Sequence, residues 1–183
     1  MKGKNQKEEI VSASLDLFRK KGYVSTSMSE IAKACDLLKG SVYHYFKSKE
    51  AILEEVFLRV ENHFETTIFN TSGKSSASTI ILINEKILKY FLNHPDGCIF
   101  ANVSLEAKSL HESAEKQIRL FFDRWRYVYF SNLRILFSKK KAERLSQDYV
   151  NRIQGSLLIR KIYSKDSILK QTIQGIKEEL RNL

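Results

Sequence analysis

Between Lys39 and Lys49 the chain carries ammonium, hydroxyl and imidazole groups and a glycine, among them Lys39, Gly40, Ser41, Tyr43, His44 and Lys49. Ammonium groups neutralise phosphates; hydroxyl and imidazole groups bond phosphates or base edges; a glycine lets a backbone come close to a surface. Val42 and Phe46 lie one helical turn apart, so they bury one side of a short helix and leave Lys39, Ser41, Tyr43 and His44 largely off it. No reaction centre competes with this cluster. There is no phosphate-binding glycine loop, nucleophile elbow or HExxH sequence, and His63, His94 and His111 are scattered. Cys35 and Cys98 form no ligand pair and no disulfide framework; for both, the buried and inert reading is favoured over a redox-sensitive thiol, which the sequence leaves open. No catalytic residue, metal or cofactor is therefore expected.

A short helix can present such groups only if its neighbours hold it. Ser27 followed by Glu30 is a capping-box pattern, and it opens a helix whose inner face is Met28, Ile31, Ala32 and Cys35. A turn at Asp36 leads to the presented helix, over 39–46. Ile10, Ala13, Leu17 and Phe18 predict a first helix over 6–21, stopped by Gly22, and the polar start with Lys2, Lys4 and Lys7 reads as a mobile basic arm. Downstream, Ile52, Leu53, Val56, Val60 and Phe64 give the inner face of a long helix over about 50–68. At about 1.5 Å per residue it is about 28 Å long, enough to carry a displacement from one module to the next. Three short helices, the second and third joined by a tight turn, are the plan by which a recognition helix enters the major groove.

The rest of the chain is helical as well. One Pro and seven Gly in 183 residues, with no alternating strand pattern, predict an all-α fold. The Ser, Thr and Gly-rich stretch 70–78 is a loop, and further helices are expected at about 79–93, 102–111, 113–137, 141–163 and 165–182, with a turn at His94-Pro95-Asp96-Gly97. The formal charge is +10, suiting a polyanionic partner. Ten basic residues stand against six acidic ones up to Glu50, so the excess is denser there than in the remaining 133 residues. No secretory signal or membrane-spanning apolar run is visible, and a cytoplasmic setting is expected.

At these same residues the chain resembles the TetR family of transcriptional repressors. The resemblance is carried by Gly22-Tyr23, Thr26-Ser27, Ile31-Ala32, Lys39-Gly40, Tyr43, Tyr45-Phe46 and Ser48-Lys49-Glu50. Two positions depart from the family pattern. Cys35-Asp36 stands where Ala-Gly is usual, and Asp tolerates the left-handed turn. Leu38 stands where a Ser or Thr usually caps the recognition helix, a loss of about 1 kcal/mol and of one phosphate contact. The resemblance implies DNA contacts from Thr26, Lys39, Gly40, Ser41, Tyr43, His44 and Lys49. It also implies a helix-turn-helix domain over 1–50, the motif at about 27–46, followed over 51–183 by a helical effector-binding and dimerisation domain.

Gly97-Cys98-Ile99-Phe100-Ala101-Asn102 and Ser104-Leu105-Glu106 resemble a stretch recurrent in one branch of that family. Around it Phe64, Phe91, Cys98, Phe121, Trp125 and Tyr129 would line a pocket for an apolar or amphipathic small molecule, or simply fill a helical core. Family members dimerise through their last two helices, and here Tyr149, Ile153, Gly155 and Leu157, with Ile168, Ile173, Ile176 and Leu180, offer apolar faces for a homodimer. A twofold dimer implies a palindromic double-stranded DNA operator. The reading is thus a repressor released by an effector, with an activator or ligand-independent regulator of the same fold left open. A helical enzyme or carrier would need a catalytic constellation that the larger half lacks. A helix-turn-helix that binds only protein fits poorly with the basic and hydroxyl groups of 39–49.

Overall fold

The structure, a computed structural model, describes residues 2–71, 76–106 and 110–182, with side chains from Gln6 onward. The described residues form helices and no strand: α1 (Lys2–Lys21), α2 (Met28–Ala34), α3 (Lys39–Tyr45), α4 (Lys49–His63) passing into a π-helical turn (Phe64–Ile68), α5 (Ala77–Leu92), α6 (Ile99–Leu105), α7 (Glu112–Leu133), α8 (Lys139–Tyr163) and α9 (Asp166–Arg181). They gather into two compact units, Met1–Asn62 with Ile99–Arg119, and His63–Cys98 with Leu120–Leu183.

In the first unit α1 begins at Lys2, so the backbone of 2–7 continues the helix where its composition suggests an arm. Extending a nucleated helix adds one hydrogen bond per residue fixed, with no second nucleation to offset. Its buried face is Ile10, Val11, Ser14, Leu15 and Phe18, while Ala13 and Leu17 are only half-buried. Because α1 packs against both α2 and α6, its apolar stripe is broader than a single neighbour would make it.

The capping box forms as read: Ser27 accepts from the Glu30 N–H at 3.2 Å and the Glu30 carboxylate accepts from the Ser27 N–H at 2.8 Å. Met28, Ile31, Ala32 and Cys35 are buried, and Asp36 takes the left-handed turn at φ +52°. Leu38 is the N-cap of α3 and makes no side-chain cap. The α4 face is buried as its spacing predicts, with the addition of Phe57, which stacks on Phe100 of α6 at 4.5 Å.

The later helices shift from their expected bounds. α6 starts at Ile99, not near 102, because Gly97 at φ +90° closes a turn onto the His94 carbonyl and the helix follows at once. Residues 107–109 of the expected 102–111 helix lie outside the described residues, as do 72–75 of the expected loop. α7 ends at Leu133, and Ser138 caps α8. In the second unit α9 packs between α5 and α8 through Leu169, Ile173, Ile176 and Leu180. Where α4 is expected to stay α-helical to 68, the Phe69 N–H donates instead to the Phe64 carbonyl five residues back, at 2.7 Å. The wider turn brings Phe64 and Phe69 into edge contact at 5.4 Å, and both bury.

Candidate nucleic-acid interface

α3 is held by Val42 and Phe46, which are 0 % and 4 % exposed, and it turns its other side outward. Lys39, Gly40, Tyr43 and His44 are exposed and Ser41 is half-buried, so five of the expected contact residues share one open surface. The Lys39 ammonium lies 5.9 Å from the Tyr43 ring, one turn along the same face. The Tyr45 hydroxyl donates to Gln6 on α1 at 2.7 Å, anchoring the helix at its far end. A Cβ at Gly40 would meet nothing within 4 Å, so the fold does not need glycine there; a close-approaching surface would. Two further side chains border this surface: Leu38, 81 % exposed, and Lys47.

Thr26 and Lys49 are placed differently from what the resemblance implies. Thr26 is 1 % exposed and its hydroxyl donates to the Gly22 carbonyl at 2.7 Å. Lys49, half-buried, donates to the carbonyls of Tyr23 at 2.8 Å, Val24 at 3.3 Å and Thr26 at 2.9 Å, and lies 4.4 Å over the Tyr23 ring. Both side chains are spent on the loop that precedes α2. They position the motif from inside and leave the outward chemistry to α3.

The same loop is gripped from a second side by a residue that sequence reading assigned no role. The Glu106 carboxylate, at the end of α6, accepts from the Tyr23 N–H at 3.1 Å and the Val24 N–H at 2.6 Å. Gly22 sits at φ +92°, and a Cβ there would stand 2.7 Å from Glu106 Oε1. Tyr23 is buried edge-on to Phe18 and donates to Glu50 at 3.0 Å; burial and the Glu50 charge push its phenol pKa well up. Glu30, bonded by Lys21 and by Ser27, has its carboxyl pKa held down to about 2. Burial pushes the Cys35 thiol up, so it stays protonated and unreactive.

Comparison with known proteins decides what this arrangement is. Residues 10–56 match the family model of bacterial regulatory proteins, tetR family, and residues 89–174 match that of the LmrA/YxaF-like transcriptional regulator C-terminal domain. The chain belongs to the TetR family. A helix-turn-helix transcriptional regulator in the lacX 3' region of Lactococcus lactis subsp. lactis is 26% identical over 184 residues, 95% of this chain and 92% of that one. The biofilm operon icaADBC negative transcriptional regulator IcaR of Staphylococcus aureus (strain Newman) is 27% identical over 148 residues, 72% of this chain and 79% of its own. Among solved structures, a TetR transcriptional regulator from Legionella pneumophila superposes with a TM-score of 0.85 at 22% identity, covering 95% of this chain and 96% of that one. The α3 surface lies within the segment matched by the family's N-terminal model, in a DNA-binding transcription regulator.

In the larger part of this TetR-family chain, Phe64, Phe91, Cys98, Phe121, Trp125 and Tyr129 are all buried in the second unit. Phe64 is the hub, with ring centroids 5.0 Å from Phe121, 5.8 Å from Trp125 and 6.4 Å from Phe91, and Trp125 lies 6.5 Å from Tyr129. The dimer residues read from the sequence need correction. Tyr149, Ile153, Leu157, Ile173, Ile176 and Leu180 are each at most 4 % exposed in the single chain, because they pack α8, α9 and α5 together. Ile168 is half-buried, and of that set only Gly155 is open. The outward face of α8 carries Leu158, Ile159, Ile162 and Tyr163, all at least 40 % exposed. Among the described residues no helix is long and apolar enough to cross a membrane.

Proposed function

We propose that this TetR-family regulator is a cytoplasmic homodimeric repressor that occupies a palindromic operator and is released by an apolar or amphipathic small molecule. The carrying observation is the open face of α3, where Lys39 is placed to neutralise phosphate and Ser41, Tyr43 and His44 to discriminate bases beside the bare backbone of Gly40. Repression is supported by IcaR, whose own description is that of a negative regulator. By role, DNA reading belongs to residues 1–50 and effector binding and dimerisation to 51–183.

For the dimer, Gly155, Leu158, Ile159, Ile162 and Tyr163 form one stripe of α8 at helical spacing, with a glycine that allows close approach of a second copy. For the effector, the Phe64 aromatic cluster is the apolar site, and a ligand acts there only by binding the released form more tightly than the DNA-bound one.

A gel shift with the DNA upstream of its own gene tests the reading: a specific complex that weakens steeply with salt is expected, and transcription from that DNA rises when the gene is deleted. Absence of specific retardation refutes it. Sedimentation of Ile159→Asp, expected to run as a folded monomer where the unmodified chain runs as a dimer, tests the stripe.

A further inference from the structure

The aromatic core of the second unit contains polar atoms that packing does not account for. Trp125 and Tyr129, one turn apart on α7, are fully buried, and Asn84 on α5 is 1 % exposed. The Tyr129 hydroxyl donates to Asn84 Oδ1. The Trp125 indole N–H faces the Tyr129 oxygen without reaching hydrogen-bond geometry, and Asn84 Nδ2 has no acceptor. The Tyr129 hydroxyl gives its proton to the Asn84 oxygen, so the Asn84 amide nitrogen is left over, and the Trp125 indole N–H, which can only donate, is left over with it. Leaving a buried donor unmet disfavours the fold more than an apolar residue of the same shape would. The Tyr129 hydroxyl accounts for the Asn84 oxygen and leaves its amide nitrogen without a role in packing.

We propose that Asn84 Nδ2 and Trp125 Nε1 are the hydrogen-bonding end of the effector site, and that the effector is an uncharged ring compound carrying a carbonyl-type oxygen. This rests on the reading of the aromatic cluster as the effector site. The acceptor follows from the two donors. The lack of charge follows from the surroundings: Arg160, the buried guanidinium of this unit, is already engaged by Asp166 at 2.7 Å and by the Phe91 carbonyl at 2.7 Å. An anionic ligand would therefore be buried without a countercharge, and a cationic one would meet N–H donors. The ring character follows from Phe64, Phe121 and Trp125, whose edge-to-face contacts a flat aromatic or alicyclic frame can replace in kind.

Trp125 is the only tryptophan, so its emission reports from inside the site. Fluorene and 9-fluorenone share a ring frame and differ by one carbonyl. Titrated into the full-length protein by calorimetry, 9-fluorenone is expected to bind about tenfold tighter than fluorene, with both ligands altering Trp125 emission. Asn84→Leu is expected to bring the two affinities together. In the unmodified protein, the single indole N–H resonance should shift downfield with 9-fluorenone and not with fluorene, a readout that survives if Asn84→Leu fails to fold. Equal affinities for the two compounds, or a water still bridging both donors in a 9-fluorenone complex, overturn the acceptor while leaving the effector site standing. Binding of neither compound, or binding without any response from Trp125, overturns the effector site and this proposal with it.

Discussion

Replacing Glu106 should loosen the loop in front of α2 by an amount that the geometry sets. Two backbone N–H groups depend on this carboxylate, at 3.1 and 2.6 Å. Hydrogen bonds to a charged group are worth about 1.5–3 kcal/mol each, and at a half-exposed side chain water recovers part of that, leaving about 1 kcal/mol apiece. Glu106→Ala therefore stabilises the open loop by about 2 kcal/mol relative to the closed one, about thirtyfold in the opening equilibrium. Hydrogen exchange at the Tyr23 and Val24 amides reads this directly. Their protection should fall about thirtyfold in Glu106→Ala and about fivefold in Glu106→Gln, which keeps one acceptor oxygen. Gly22→Ala gives an internal control. Its Cβ costs about 1–2 kcal/mol at a positive φ and also displaces the carboxylate 2.7 Å away, so in the Glu106→Ala background only the backbone cost should remain. Unchanged exchange at Tyr23 and Val24, or strict additivity of the two substitutions, would refute the reasoning.

Gly40→Ala should stabilise the folded chain by about 0.5–1 kcal/mol, because alanine suits a helix better and the space is open, while weakening operator binding; a thermal melt and a gel shift on the same sample separate the two. Lys39→Ala should lower the slope of log affinity against log salt by about one. Lys49→Met should leave that slope unchanged and lower the melting temperature, since its ammonium serves three carbonyls of the loop. Glu30 has a folded pKa of about 2 against 4.5 for a free glutamate side chain, so the stability it contributes is fully present above pH 4.5 and is lost as the pH falls towards 2. Far-UV circular dichroism through that window should show Glu30→Gln unfolding with a shallower pH dependence.

The local grammar of the recognition motif was legible because its signals sit within a few residues of their effects. Ser27 and Glu30 cap one another across three positions, and Asp36 needs only its own backbone to turn left-handed. Glu106 was invisible because its partners lie 82 and 83 residues earlier in the chain, and no periodicity encodes such a distance. Phe57 was missed for a related reason, since its partner Phe100 arrives with α6. On α8 the difficulty was of another kind. The helix has two apolar faces, one through Tyr149, Ile153 and Leu157 and one through Leu158, Ile159 and Ile162, and spacing cannot say which meets its own chain. Thr26 and Lys49 show the limit of resemblance: a matched residue type can turn inward and serve the scaffold.

The π-helical turn after His63 stores one residue of slack. Glu65, Thr66 and Thr67 bulge outward there while Phe64, Ile68 and Phe69 stay anchored in the core. Deleting one of the three exposed residues lets the following amide bond its carbonyl four positions back, so an ordinary α-helix forms with the flanking aromatic anchors undisturbed. Elsewhere in a packed helix a single deletion rotates everything beyond it by about 100° and carries the buried stripe off its partner. This chain thus has a position where a change of length is absorbed locally, and relatives one residue shorter in this turn can share the same core.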